Sequence, residues 1–480
     1  MGQPSSSSTL QTRMPWLRDD RYSLFLAAMV WLLMVLMIVP EGFDYQSLIS
    51  TGSPSSGSAI SRILWLGLLL FGGVIIFWRA GLAWLLTRGM NPFLLLFVVL
   101  AITSVAWSID PALSLRRLLR MSTIVLVSAA FVLMGWHARR FQNVVRPVLT
   151  LMLLGSIFFG LLFPELAIHQ QTSAELVGAW RGLANHKNSL GAIACIALIF
   201  WFHAWLSRET GFFTALVGGA IAATCLLLSR SSTSLAATLV VIGFLLLLMR
   251  SPQGMRPYLP YLVVMMLVIL LVYALAILQL IPGLSILMTP ITALTGKDMT
   301  FTGRSEIWSV LVDHIRYHPL LGTGYGAYWT AGPVPGTDAY AFIWRMGKFY
   351  PGSAHNGYLE IVNDLGWVGL LCLVGYLLMY VRQSLQMLGV DFNQAALYLA
   401  LFFQQVISNL SETHWFSVLS VDFVIMTLAT MALARGLLEH RLRLIFGDPR
   451  PVTSELTPDE LVPGRQAFSR VLAGQRRLTS

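Results

Sequence analysis

Residues 258–281 read YLPYLVVMMLVILLVYALAILQLI. The run holds no charged side chain over about 24 residues, enough for a helix to cross roughly 30 Å of hydrocarbon. Residues 22–39 and 63–78 are runs of the same kind. The 480-residue chain is 56% hydrophobic and only 11% charged. A soluble chain of this length could not cover its surface with so few charges. The expected fold is therefore all-α: a polytopic transmembrane helical bundle of about twelve spans. We place these near 22–39, 63–79, 92–107, 121–136, 147–163, 189–206, 211–228, 234–249, 258–281, 357–381, 394–410 and 416–434. One membrane domain, 22–440, is flanked by cytoplasmic tails at 1–21 and 441–480, the second expected to be disordered.

The net charge is +10. Cytoplasmic loops of membrane proteins carry excess Lys and Arg, and that rule accounts for the charge without nucleic acid. With the N-terminal tail inside, the inner loops hold Arg79, Arg88, Arg139, Arg140, Arg208, Arg250, Arg256 and Arg382, and the C-terminal tail holds Arg441, Arg443 and Arg450. Arg116, Arg117 and Arg120 break the pattern, falling just before a span on the outer side. Either they have a task there or a span is miscounted. Cys195, Cys225 and Cys372 all fall inside apolar runs and imply no disulfide framework. Residues 22–39 lack a small-residue cleavage pattern and further spans follow, so no cleaved leader is expected.

The longest loop, about 282–356, is expected outside. Within it, Ile307, Trp308, Leu311, Val312 and Ile315 recur at helical spacing over 303–318. That spacing predicts an amphipathic surface helix ended by Pro319. Four polar clusters share the outer side: RGLANHKN (181–188), SRSSTS (229–234), 302–328 with its HPLLGTGYGAY stretch, and SAHNGYLE (353–360). The spans at 189 and 357 both start from outside, so their unpaired N–H groups point outward. With Arg181, Lys187, Arg230 and Arg304 these helix starts make an anion site, and Arg116 and Arg117 lie on the same side. Guanidinium forks suit phosphate oxygens, and a lipid-borne diphosphate is the ligand that fits a membrane surface. His355, at a helix start, is placed to take a proton from an attacking sugar hydroxyl.

Each feature has a plainer reading when taken singly. Surface arginines such as Arg230 snorkel, and Arg116, Arg117 and Arg120 suit interfacial anchoring. Gly322, Gly324 and Gly326 suit a turn, Trp329 and Trp415 an aromatic belt, and His355–Asn356 a helix cap. Co-location on one side of the membrane is what favours a site. No outer D-x-D or H-x-x-x-H pair occurs, so neither metal nor cofactor is expected. Glu306, Glu360, Asp364 and Glu412 are isolated carboxylates, one of which is placed to orient a histidine or an acceptor sugar.

WRGLANHKNSLG (180–191), LLLSRSSTSL (226–235), FTGRSEIW (301–308), HPLLGTGYGAYW (318–329), AHNGYLEIVNDLGWVGLL (354–371) and SNLSETHW (408–415) resemble the O-antigen ligase and polymerase superfamily of bacterial glycan assembly. WSIDPALSLRRLLR (107–120) resembles its exopolysaccharide polymerase branch. The resemblance implies a GT-C-like helical bundle in the bacterial inner membrane, with a long periplasmic loop and a periplasmic active face. It also implies metal-independent transfer of an undecaprenyl-diphosphate-linked glycan to an acceptor glycan. Arg181 and Arg304 match the family's two arginines, and His355 followed by Asn356 matches its catalytic histidine motif. His186, Glu412 and Tyr325 are candidate acceptor-binding residues. Membrane lipids and other assembly proteins, such as a flippase or chain-length regulator, are expected partners. Ligases often carry a second histidine two residues earlier, where this chain has Ser353, which favours a polymerase. The alternatives are a ligase acting on lipid A core or protein, and a lipid-linked glycan transporter. The spans read as nearly charge-free and the halves show no repeat, both of which speak against transport.

Overall fold

The computed structural model describes residues 22–40, 44–45, 58–170, 176–277, 304–329 and 352–446. The tails at 1–21 and 447–480, and loop residues 282–303 and 330–351, lie outside the described residues. Fourteen helices of ten residues or more are described: α1 Ser23–Ile38, α2 Ala59–Trp78, α3 Ala80–Gly89, α4 Pro92–Thr103, α5 Pro111–Leu133, α6 Arg140–Leu162 and α7 Lys187–Leu206. They continue as α8 Phe212–Leu228, α9 Ser232–Arg250, α10 Leu259–Ile277, α11 Arg304–Ile315, α12 Gly357–Leu388, α13 Phe392–Ser408 and α14 Val421–Phe446.

Every expected span coincides with a helix. Seven of these helices are long and apolar enough to cross a membrane; α4 qualifies only jointly with α3, across a 104° bend, and α1 and α8 are shorter apolar helices. The chain is an all-α, multi-pass membrane protein. α5 and α13 are amphipathic instead, with Arg116, Arg117 and Arg120 on one and Gln394, Gln404 and Gln405 on the other. Two boundaries differ from the sequence reading. Asp110 accepts a hydrogen bond from the Leu113 N–H (2.9 Å) and Pro111 follows it, so α5 starts at 111 and its arginines lie inside the helix. The last helix runs to Phe446, past the domain boundary expected at 440.

The helix α14 is buried along nearly its whole length and forms the axis against which α3, α5, α12 and α13 pack. α11 packs on α12 and buries Ile307, Trp308, Leu311 and Ile315. Val312, expected on that face, is instead 40% exposed.

Two ends of the bundle differ in chemistry. At one end Arg140 donates to the Ser23 carbonyl, Arg146 pairs with Glu209 (3.1 Å) and Gln383 donates to the Gly89 carbonyl. At the other end lie the starts of α5, α7, α9, α12 and α14. Arg117, Asn188, Arg304 and His355 are all there, as the sequence map requires.

The second end is built around a break in α12. Gly366 has φ 64° and ψ −162°, a conformation essentially reserved for glycine. The break frees backbone groups that water cannot reach in a bilayer. The stretch 319–326 fills them. Pro319 and Leu320 carbonyls accept from the N–H groups of Trp367 (2.9 Å) and Val368 (3.3 Å). Thr323 and Gly324 N–H groups donate to the carbonyls of Asn363 (3.1 Å) and Asp364 (2.9 Å). Gly322, Gly324 and Gly326 all have positive φ, so the turn reading of this stretch is correct. A Cβ on Gly366 would overlap the Leu320 backbone, and one on Gly322 would press on the Asp364 backbone.

Gly366→Ala should therefore destabilise strongly. The backbone strain alone is about 1–3 kcal/mol, to which the overlap adds. Gly389→Ala, at φ −78° with nothing nearer than the Gln386 carbonyl at 3.7 Å, should be tolerated. Thermal melting of the two detergent-purified variants measures the difference, and equal melting temperatures would contradict it.

Candidate active site

Glu412 lies in the turn between α13 and α14, at the end of the bundle just described. One carboxylate oxygen, Oε1, accepts from Arg304 Nη2 (2.8 Å) and from Asn188 Nδ2 (2.6 Å). The other, Oε2, is 3.4 Å from His355 Nδ1. Three of the four polar clusters thus meet on one carboxylate, from segments more than 200 residues apart. An ionised carboxylate only accepts, so His355 donates its Nδ1–H to Glu412 and Nε2 is left as the basic nitrogen. Burial alone would raise the Glu412 carboxyl, but the hydrogen bond and charge of His355, with Arg304 beside it, hold it well below the usual carboxylate range.

His355 sits at φ 48°, a left-handed conformation that a non-glycine residue adopts only when its surroundings impose it. The next residue supplies part of that constraint. Asn356 is completely buried; its Oδ1 accepts from the N–H groups of Tyr358 (3.0 Å) and Leu359 (3.1 Å), and its Nδ2 donates to the Leu410 carbonyl (3.3 Å). The Asn356 side chain is committed to capping α12 and tying it to the Glu412 turn. Asn409 organises the same turn: Oδ1 accepts from His414 N (2.9 Å) and Trp415 N (2.7 Å), while its carbonyl accepts from Gly357 N (2.9 Å).

His186 caps α7, its Nδ1 accepting from Asn188 N (3.3 Å), so its N–H is on Nε2. Burial pushes its pKa down to about 4, against the pull of the Glu412 charge. It is a neutral donor at pH 7, and it interacts with both Glu412 and His355. Lys187 is the first residue of α7, and its N–H donates to His169 Nε2 (3.2 Å).

Arg181 and Arg230 belong to the adjoining loop. Arg181 Nε donates to the Leu166 carbonyl (2.7 Å), leaving its terminal nitrogens without a partner among the described residues. Arg230, at φ 50°, donates to the Val177 carbonyl (2.9 Å). No described contact joins either to Glu412. Arg117 donates to the Trp329 carbonyl (3.1 Å) and packs over Gly326, bracing the glycine-rich loop; Arg116 is exposed on α5. Tyr325 is 3% exposed and its hydroxyl donates to the Phe416 carbonyl, so it is a packing residue and is closed to an acceptor sugar. The serines of 229–234 bond among themselves beside Gly191 and line a helix contact. The side chain of Glu306 lies outside the described part. Among the described residues no group of three or more His, Cys, Asp or Glu side chains is placed to share a metal ion.

The spans are less charge-free than they read. Glu360, Asp364 and Asp422 are buried, Asp422 with Gln404 (3.1 Å) and Gln405 (2.7 Å) on one oxygen. All three lie within two turns of the site end of their helices, away from mid-span. The sequence reading missed Asn188, whose bond to Glu412 has no signature in a single polar residue inside a helix start.

Comparison with known proteins agrees with this picture. Residues 217–374, which include Arg230, Arg304 and His355, match the O-antigen ligase family. The chain is also similar to the exopolysaccharide production protein ExoQ of Rhizobium meliloti (strain 1021), 30% identical over 285 residues. That match covers 58% of this chain and 61% of the relative, so the chain spans less than two thirds of the curated relative's length. The match to the O-antigen ligase family and the similarity to this relative point the same way as the resemblance of the motifs.

The depressed Glu412 carboxyl has a consequence for stability. A carboxylate with a lowered folded pKa contributes stability above its unfolded value, about 4.3, and that contribution is lost as pH falls toward the folded value. Wild type should therefore melt higher than Glu412→Gln at about pH 7, and the gap should narrow below about pH 4. A gap that is constant with pH would show that the charge of Glu412 is not what stabilises the cluster.

Proposed function

We propose that this protein is a glycosyltransferase that polymerises a bacterial exopolysaccharide. A growing glycan on undecaprenyl diphosphate would pass to an acceptor hydroxyl of another lipid-linked repeat unit, at the periplasmic face of the inner membrane. The observation that carries the reading is the Glu412 junction, where a base and a guanidinium are held by one carboxylate. Neither a packing histidine nor a snorkelling arginine needs such an arrangement.

The acceptor oxygen attacks the anomeric carbon while its proton passes to His355 Nε2. The bond from that carbon to the diphosphate oxygen breaks, and the leaving diphosphate carries the electron pair away. Arg304, whose guanidinium has five donors, engages phosphate oxygens while keeping Glu412. Arg181, with its open terminal nitrogens, and Lys187 add charge beside it. Glu412 holds the imidazole in the tautomer that accepts the proton and stabilises the imidazolium formed, as the carboxylate does in a serine-protease triad. A single displacement inverts the anomeric centre. The ligase alternative differs in acceptor; Ser353, where ligases often carry histidine, and the exopolysaccharide production in the relative's name favour polymerisation.

A deletion strain complemented with His355→Ala, at wild-type membrane levels, should make no polymer and accumulate single lipid-linked repeat units. Loss of one base at a site of this kind is expected to cost about 10²–10⁴-fold. Polymer left on its carrier with a bare surface acceptor would identify a ligase. Wild-type polymer would show that His355 is not the base.

A further inference from the structure

Glu360 has no part in the chemistry proposed above, yet it is only 7% exposed and one of its oxygens holds two partners. It lies one helical turn into α12, below His355. A single oxygen, Oε2, accepts from the Ala354 N–H (2.7 Å) and from the Trp329 indole N–H (3.1 Å). Ala354 immediately precedes His355. Trp329 ends the glycine-rich loop that splices into α12, and its own carbonyl accepts from Arg117 (3.1 Å). The Ala354 carbonyl in turn accepts from the indole of Trp308 (2.9 Å), on the helix that begins with Arg304. Trp308, Trp329 and Ala354 are packed in one buried cluster. One carboxylate oxygen therefore fastens together the helix of the base, the helix of the diphosphate-binding arginine and the stem of the long loop.

We infer that Glu360 is a positioning residue: it holds the Ser353–Ala354 peptide just before His355, so that His355 keeps its left-handed backbone and its imidazole meets Glu412. The inference rests on His355 acting as the base. A left-handed residue relaxes to a right-handed or extended conformation when its neighbours release it, and that rotation would carry the imidazole away from Glu412. The bond to the Ala354 N–H opposes the rotation from one peptide upstream, while the Trp308 indole holds the Ala354 carbonyl beside it. Arg117 lies close enough to interact with both Glu360 and Asp364.

The test uses the detergent-purified full chain with single lipid-linked repeat units extracted from the deletion strain. Displacement of a catalytic group by about 1 Å costs on the order of 100-fold. Glu360→Ala should lower kcat by about that factor with donor KM within about twofold. Glu360→Gln keeps an acceptor oxygen for Ala354 N–H and should recover to within about tenfold of wild type. Added to His355→Ala, either substitution should cost less than about threefold more, because the group it positions is already gone. Should Glu360→Ala not fold, Glu360→Gln in the same cycle carries the test. Wild-type kcat in Glu360→Ala, or an undiminished loss in the His355→Ala background, would overturn the assignment. Full activity of His355→Ala would instead remove the reading on which it rests. An inactive His355→Ala beside a fully active Glu360→Ala would remove only the positioning role of Glu360.

Discussion

The structure turns on an unfinished helix. α12 breaks at Gly366, and in a bilayer the backbone groups freed by such a break have no water to bond. The stretch 319–326 supplies four backbone hydrogen bonds across the break, two donated and two accepted. That exchange fixes a segment of the long outer loop against a transmembrane helix, as firmly as one strand against another. The three left-handed glycines follow from it, since each lies where a side chain would strike Asp364, Ser108 or Arg117. So do the placements of Trp329 and Ala354, and through them the approach of His355 and Arg304 to Glu412.

The site is assembled from helix ends because a membrane protein has few other places for exposed polar backbone. The starts of α7 and α12 contribute His186, Lys187, Asn188 and His355, and the turn after α13 contributes Glu412. Each is tied to another through caps: Asn356 to Leu410, Asn409 to Gly357, Asn188 to Glu412. Asn356 and Asn409 are buried, while Asn188, Arg304, His355 and Glu412 are half-buried. That division separates residues that hold the geometry from those that can meet a ligand.

Much of this was legible in the sequence, for physical reasons. Each apolar run of about the length of a bilayer coincides with a described helix, and the arginine pattern gave those helices an expected direction. The clusters that hold Arg304 and His355, and the one at 181–188, were visible as polar residues at span ends, and Glu412 as an isolated carboxylate. What could not be read were pairings. Tyr325 and Glu412 are both polar residues in outer segments, and only packing shows that one is a closed core hydroxyl and the other the junction of the site. Asn356 reads as a partner of His355 in the motif, and its actual bonds run to backbone. Glu360 reads as one more helical carboxylate, because its two partners are a backbone N–H and an indole, neither of which has a sequence signature. The start of α5 was misplaced because three arginines mask the onset of a helix that Asp110 and Pro111 announce.

The central claim is that this end of the bundle makes a glycosidic bond and does not merely pass a lipid across the membrane. The direct measurement is reconstitution of the purified full chain into liposomes with fluorescently labelled undecaprenyl-diphosphate-linked repeat units. The products are resolved by size, and the leaflet of the label is read by quenching. The account predicts oligomers longer than the added unit, with undecaprenyl diphosphate released for each bond formed. Label that crosses the bilayer without any gain in glycan length would contradict it.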